Sequence, residues 1–306
     1  MLKKKAFRKI FITTFTVFVL LTFYLIPSND KKNDYIYRYT EHKTVKTFLM
    51  NKNNQLTMVD ATTFSRDDAS VIKEIIENLT MTDDFTVLDG FTRLIPEDVI
   101  LKDVSIDENV ASVLFSKEFY DINPNILENV IESISYSILS LNNINGVSIY
   151  VENENISNRF PFVPSIIKKD YGINKRTLIK GKAIDSKMVI VYYIDNIDDK
   201  NYYVPITKYV NDKRDKIKII IDELTSSYIY EPNLITLLNK NIKLLDYDIK
   251  EDVCTLNFNN SIFMEQNSIL QEVVYTISYS IFSNFEDVKK VVFMVDGEVA
   301  ALETLE

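Results

Sequence analysis

The sequence predicts an α/β (α+β) chain: two repeated β-β-α-β-β-α-β domains, each a small mixed sheet with helices packed on it, behind an N-terminal transmembrane helix. Three observations predict this. Residues 126–140 (ILENVIESISYSILS) and 269–283 (ILQEVVYTISYSIFS) are identical at nine of fifteen positions, at a constant offset of 143. A gapless match of that quality marks an internal repeat. Each copy also spaces its apolar residues as a helix does: Leu127, Val130, Ile131, Ile134 and Ile138, then Leu270, Val273, Val274, Ile277 and Ile281. A lone helix cannot bury such a stripe, so each copy calls for a sheet to pack on. Finally, residues 10–26 (IFITTFTVFVLLTFYLI, from Ile10 to Ile26) carry no charge and follow a basic cluster.

At 306 residues the chain has room for two domains of ordinary size. It is 46% hydrophobic with five glycines and seven prolines, which fits packed domains rather than disorder. Charge is divided unevenly. Lys3, Lys4, Lys5, Arg8 and Lys9 stand within residues 1–26, which hold no acid, and the remainder holds 30 basic against 44 acidic residues. So acidic a body argues against nucleic acid as a partner, because binding phosphate needs basic surface. One cysteine, Cys254, leaves no internal disulfide and no cysteine-rich metal site.

As a helix, residues 10–26 would reach ~26 Å, enough for a bilayer core if the ends stretch. The basic residues in front orient the N-terminus to the cytoplasm and the body outside. A cleaved signal peptide competes with this reading, but the flank Pro27-Ser28-Asn29-Asp30 lacks a small-residue cleavage site, so an uncleaved anchor is preferred. Residues 1–28 are thus the basic cluster and anchor, and 29–43 a polar tether with Tyr35, Tyr37 and Tyr39. The lone histidine, His42, stands at the tether's end as a solvated residue, without the companions a metal ligand needs.

The first domain spans residues 44–153. Residues 45–50 and 56–61 are β-rich runs around a hairpin turn at Asn53-Asn54. Ser65-Arg66-Asp67-Asp68 supplies a cap and an acidic first turn for a helix through Thr80, with the stripe Ile72, Ile75, Ile76 and Leu79. Residues 99–106 and 109–115 are strands around a tight turn at Asp107-Glu108. The second of these is apolar on both faces, as a central strand is. The repeated helix follows Pro124, placed where proline does least harm, and residues 147–151 close the domain.

The second domain, residues 188–306, answers in the same order. Runs at 189–193 and 202–206 open it, and Ile217, Ile220, Ile221 and Leu224 form its first stripe. ENVASVLFS (108–116) becomes EDVCTLNFN (251–259), and residues 291–295 close it. Residues 154–187 join the two domains and are basic: Lys168, Lys169, Lys175, Arg176 and others outnumber Glu154, Asp170 and Asp185. They read as a docking strip for an acidic partner or, preferably, as a segment folded against the chain's own acidic domains.

No reactive centre is legible: the expectation is no catalytic, cofactor-binding or metal-binding residues. One linker histidine and one cysteine do not build a triad. No phosphate-binding glycine motif is present. Carboxylates gather at turns (Asp83-Asp84, Asp198-Asp199, Glu251-Asp252), where solvation explains them. An acid pair for sugar hydrolysis would have to stand ~5–10 Å apart in a cleft. Cys254 takes the place of Ala111 in the other copy and reads as a small packed residue. On the repeated helix, Tyr136 lies about 200° round from Ile134, and Tyr279 does the same with Tyr275 one turn before it. These three tyrosines are the expected partner contacts, on an outer helix face.

The strand pair ending in ENVASVLFS and EDVCTLNFN, the helix VVYTISYSIF, the strand VVFMVDG and the linker run YGINK together resemble the GerM-type sporulation and spore germination proteins. Those proteins carry two tandem GerMN domains, and the resemblance covers roughly residues 45–300. It implies compact α/β domains like the ring-building motifs of secretion-type assemblies. It also implies a non-enzymatic role in endospore formation and germination, at the envelope between mother cell and forespore. The chain departs from the family pattern in lacking a lipid-bearing cysteine. The expected partners are therefore the membrane, through residues 10–26, and other envelope or sporulation proteins, with self-assembly also expected. A peptidoglycan- or solute-binding protein with its site between the domains is the alternative, ahead of an enzyme acting on cortex glycan.

Overall fold

A computed structural model describes residues 2–25, 42–82, 88–175, 186–226, 232–264 and 268–305. The chain divides into two compact units, Met1–Thr40 and Glu41–Glu306. In the first, α1 (Leu2–Leu25) is one continuous helix. Among the described residues no helix is long and apolar enough to cross a membrane. Most of the expected tether, and Ile26 at the end of the expected span, lie outside the described residues, while His42 is exposed.

In the second unit the expected element order is observed twice. The first half holds β1 (Lys43–Asn51), β2 (Leu56–Thr63), α2 (Asp68–Leu79), β3 (Phe91–Thr92), β4 (Leu101–Asp107), β5 (Val110–Phe115), α3 (Pro124–Ile138), β6 (Gly146–Val151) and β7 (Glu154–Asn155). The second holds β8 (Lys187–Ile197), β9 (Lys200–Val210), α4 (Lys216–Thr225), β10 (Leu234–Ile235), β11 (Leu244–Lys250), β12 (Val253–Phe258), α5 (Gln271–Asn284), β13 (Lys290–Val295) and β14 (Glu298–Thr304). The short strands β3, β7 and β10 and the closing β14 are additions to the expected order.

Local chemistry explains the boundaries. Asp67 caps α2, accepting from the Ser70 N–H at 2.9 Å, and Asn123 accepts from the Asn125 N–H where Pro124 opens α3. The hairpin turns use residues that tolerate positive φ, as in Asp198-Asp199 and Glu152-Asn153. In the first half the turn falls on Glu108-Asn109, both at positive φ, one residue later than the expected Asp107-Glu108.

The sheets depart from one mixed sheet per domain. β4-β5-β6-β7 and β11-β12-β13-β14 are the two mixed sheets, with β5–β6 and β12–β13 parallel. The opening hairpins leave those sheets and join each other in a six-stranded sheet, β10-β8-β9-β2-β1-β3, through the pairing of Met58 with Tyr203. The stripe of α3 shares one core with the inward residues of β5 and β6, such as Val113, Phe115 and Ile149. Its opposite side lies on β1.

That second contact is specific. β3 pairs with β1 only at Met50 and Asn51, which leaves Phe48 without a strand on that edge. The helix supplies the missing partners: Ser133 Oγ donates to the Phe48 carbonyl at 2.6 Å, and the Phe48 N–H donates to Ser137 Oγ at 2.9 Å. In the second half β10 is equally short. There the Tyr192 N–H donates to Ser280 Oγ, and Asn284 bonds both the N–H and the carbonyl of Ile190. Buried backbone groups need such partners, so the sheet fixes the helix at this distance.

Candidate functional site

The residues with unusual environments gather where the two halves meet. Because the hairpin sheet covers the far side of α3, Tyr136 is not on an outer face. It is 3% exposed, donates its hydroxyl to the Lys169 carbonyl at 2.6 Å, and sets its ring edge-on to Phe48. The expectation of an exposed contact at Tyr136 is thereby corrected. Tyr275 and Tyr279 are half-buried and stack on each other, 5.6 Å between centroids. Tyr203 meets both of them edge-on, and Tyr192 packs on Tyr279. Tyr279 contacts the other half of its own chain: Lys46, at the start of the first half, sits over its ring.

Beside the rings lies a cavity of about 130 Å³. Tyr136, Tyr192, Tyr279 and Phe282 form its aromatic wall, and Lys43, Lys46, Lys169 and Glu303 also line it. Lys46 is paired with Asp60 at 2.6 Å. Lys169 Nζ donates to the Phe282 carbonyl at 3.0 Å, and no carboxylate among the described residues lies within ion-pair distance of it. Burial, and after it the neighbouring Lys289, brings the Lys169 ammonium down to about 8.

The linker sews the halves together on another side. β2 and β9 part next to the Met58–Tyr203 pair, and Ile173 and Asn174 fill the gap. Thr207 N–H donates to the Ile173 carbonyl, and Ile173 N–H donates to Thr207 Oγ1. Asn174 accepts from the Leu56 N–H and donates to the carbonyls of Leu56 and Pro205, at 2.7 to 2.8 Å. Gly172, at φ +85°, is required there: a Cβ would stand 3.0 Å from Thr207.

The Asn174 N–H donates to Glu132 Oε2 at 2.8 Å. Glu132, on α3, is 2% exposed, and burial pushes its carboxyl up to about 7 against the pull of Lys175, whose Nζ is 3.4 Å away. Lys175 also pairs with Glu128 at 2.7 Å and lies over the Tyr171 ring. The preferred reading of the basic linker, folded on its own chain, therefore holds for Lys169 and Lys175, while residues 176–185 lie outside the described residues. A third junction is polar and buried: Asn51 and Asn233 both donate to Asp195 Oδ2.

Nothing in this arrangement opposes a free acid to a free base. Glu128 and Glu132 share Lys175, and Asp195 is taken up by two amides. Among the described residues no three His, Cys, Asp or Glu side chains are grouped to hold a metal ion. Cys254 is fully buried, which pushes its thiol up to about 12, as suits a packed residue. Asp83-Asp84 lie outside the described residues. Sequence reasoning missed Glu132, Asn174 and Lys169 as junction residues. The signal available for Asn174 was the YGINK run (171–175), with its glycine and asparagine in an otherwise basic segment.

Comparison with known proteins agrees with the architecture. The family model described as "Germane: Sporulation and spore germination" matches residues 36–157 and 190–301. The chain is 26% identical over 223 residues to the spore germination protein GerM of Bacillus subtilis (strain 168), a match covering 68% of this chain and 59% of that protein. The match thus spans less than two thirds of that relative's length. The solved tandem GerMN domains of the B. subtilis sporulation protein GerM superpose with a TM-score of 0.73 at 23% identity, over 84% of this chain and 92% of that one.

Proposed function

The chain belongs to the Germane family of sporulation and spore germination proteins, and from that premise we propose that it is a non-enzymatic scaffold needed for endospore formation and/or germination. It is held at the membrane by residues 10–26, with its body on the extracytoplasmic side, and it works by binding other envelope proteins.

The observation that carries this reading is a bare face on the second half. Strand alternation in β12 and β13 points Val253, Val292 and Met294 away from the core, whose inward positions are Cys254, Leu256, Phe258, Val291, Phe293 and Val295. β14 extends the same face with Leu302, 47% exposed, and Val299, 67% exposed, and it is an edge strand. Apolar residues grouped on a sheet face beside an open edge suit a protein partner. The same face of the first half carries Val110, Ser112, Leu114, Ser148 and Tyr150, and there Ile166 of the linker closes against Gly146.

The test is Val299→Lys with Leu302→Lys in the source organism. The doubly substituted chain should keep the wild-type melting temperature, because neither side chain is in the core, and should fail to restore heat-resistant spores to a deletion strain. Full restoration of both spore yield and germination by this variant would overturn the assignment of the face. A deletion strain that sporulates and germinates normally would overturn the role itself.

A second reading, solute binding between the halves, is favoured by one observation, the aromatic cavity at their junction.

A further inference from the structure

We propose that the junction cavity is a binding site for a small monocarboxylate whose body is a single ring or a branched aliphatic group of that size. This rests on the solute-binding reading and gives it a ligand class.

Size comes first. The cavity holds about 130 Å³. Cavities of ~150 Å³ lined by apolar side chains accept one benzene ring. A single ring therefore fits. The wall is made for such a body: Tyr136 and Phe48 meet at 5.9 Å and Tyr192 and Tyr279 at 5.7 Å, with Leu139, Leu141 and Phe282 between. Aromatic walls take ring bodies edge-on or offset.

Charge comes second. Three lysines line the cavity against one glutamate, Glu303. Lys46 already has Asp60. Lys169 has only a carbonyl oxygen, although an ammonium offers three donors. A buried cation whose acidic neighbour, Glu286, lies beyond ion-pair reach is costly, and a carboxylate at Nζ would supply both a closer charge and the second hydrogen bond. The Phe282 carbonyl beside it and Glu303 on the wall disfavour a dianion such as phosphate. Nearby, Lys289 adds positive charge, and Glu286 offsets part of it. Both halves line the pocket, Tyr136 from the first and Tyr279 from the second. A ligand here would therefore also brace the junction.

The experiment uses the full chain in detergent micelles and follows 4-fluorobenzoate by fluorine NMR, with empty micelles as the blank. Saturable broadening is expected, reversed by cyclohexanecarboxylate and not by inorganic phosphate. Lys169→Met should weaken binding at least about tenfold, with Lys169→Arg weakened less. Should Lys169→Met fail to fold, Ser283→Leu, which fills the cavity from its wall and leaves the ammonium in place, must abolish binding. Equal binding to Lys169→Met, or 4-fluorobenzyl alcohol binding as tightly as the acid, would overturn the carboxylate assignment while leaving a solute site standing. No saturable binding of either probe up to about 10 mM, the weak limit for so few heavy atoms, would overturn both.

Discussion

Replacing Glu132 with glutamine should change how stability depends on pH, and the size follows from the junction. Glu132 is buried under the linker, and its carboxyl rises from 4.5 to about 7. A tenfold change in proton affinity corresponds to roughly 1.4 kcal/mol between the protonation states, so the whole rise is worth about 3 kcal/mol. The sign follows from which state holds the proton. Below 4.5 both folded and unfolded chains are protonated, and the group contributes no difference. Between 4.5 and about 7 the unfolded chain loses its proton while the folded chain keeps it. Stability from this residue therefore falls as pH rises through that window, then levels off. Glu132→Gln keeps an oxygen to accept from the Asn174 N–H and cannot ionise. The assay is urea denaturation of wild type and variant at intervals from about pH 4.5 to pH 8. The variant should gain on the wild type by about 3 kcal/mol across the window, or roughly 6 °C in melting temperature for a body of this size. A difference that stays flat, or one in which the wild type gains as pH rises, would refute the reasoning. Either result would mean that Lys175 and the Asn174 N–H outweigh burial and keep Glu132 ionised in the folded chain.

Two further outcomes concern the joints between elements. Asn174→Ala removes three hydrogen bonds that bridge β2 and β9 and leaves a left-handed residue without the side chain that suits it; it should cost roughly 3–5 kcal/mol in urea denaturation, and a loss below about 1 kcal/mol would contradict the bridging role. Within the repeated Ile-Ser-Tyr-Ser motif the two serines should differ: Ser137→Ala strands the Phe48 N–H and should cost about 1–3 kcal/mol, whereas Ser135, buried with no partner for its hydroxyl, should tolerate alanine at little or no cost by thermal melting.

Element order was legible because periodicity reports burial on one face: α2 to α5 and the strands β4, β5, β11, β12 and β13 fall within a few residues of their expected places, while β14 was not foreseen. Sheet membership was not legible. The hairpin β1–β2 has the same alternation whichever sheet receives it, and only the short β3 and β10, two residues each, reveal that an edge is left for a helix to cover. The outward placement of Tyr136 failed for the same reason. A single stripe divides a helix into inside and outside, but α3 is buried on both sides, from Val130 through Leu139 without a break. The serines of the repeated motif carried the missing signal. Small hydroxyl residues inside a helix, repeated at matching positions, mark a close approach of backbone. At the junction, Glu132 and Lys169 were indistinguishable in sequence from the many solvated acids and lysines around them, since their character comes from burial alone.

The repeat itself argues where function lies. None of the nine positions identical between the two copies of the helix is exposed in either half. What the two helices share is used to pack each half and to hold its helix on the hairpin sheet. The surfaces, by contrast, diverge at equivalent places in the mixed sheets: matched by register, Ser148 corresponds to Val292, Tyr150 to Met294 and Gly146 to Lys290. On the helix, then, the shared positions serve packing, and the outward positions of the mixed sheets are where the halves differ; the partner face proposed on β13 and β14 draws on those differing positions.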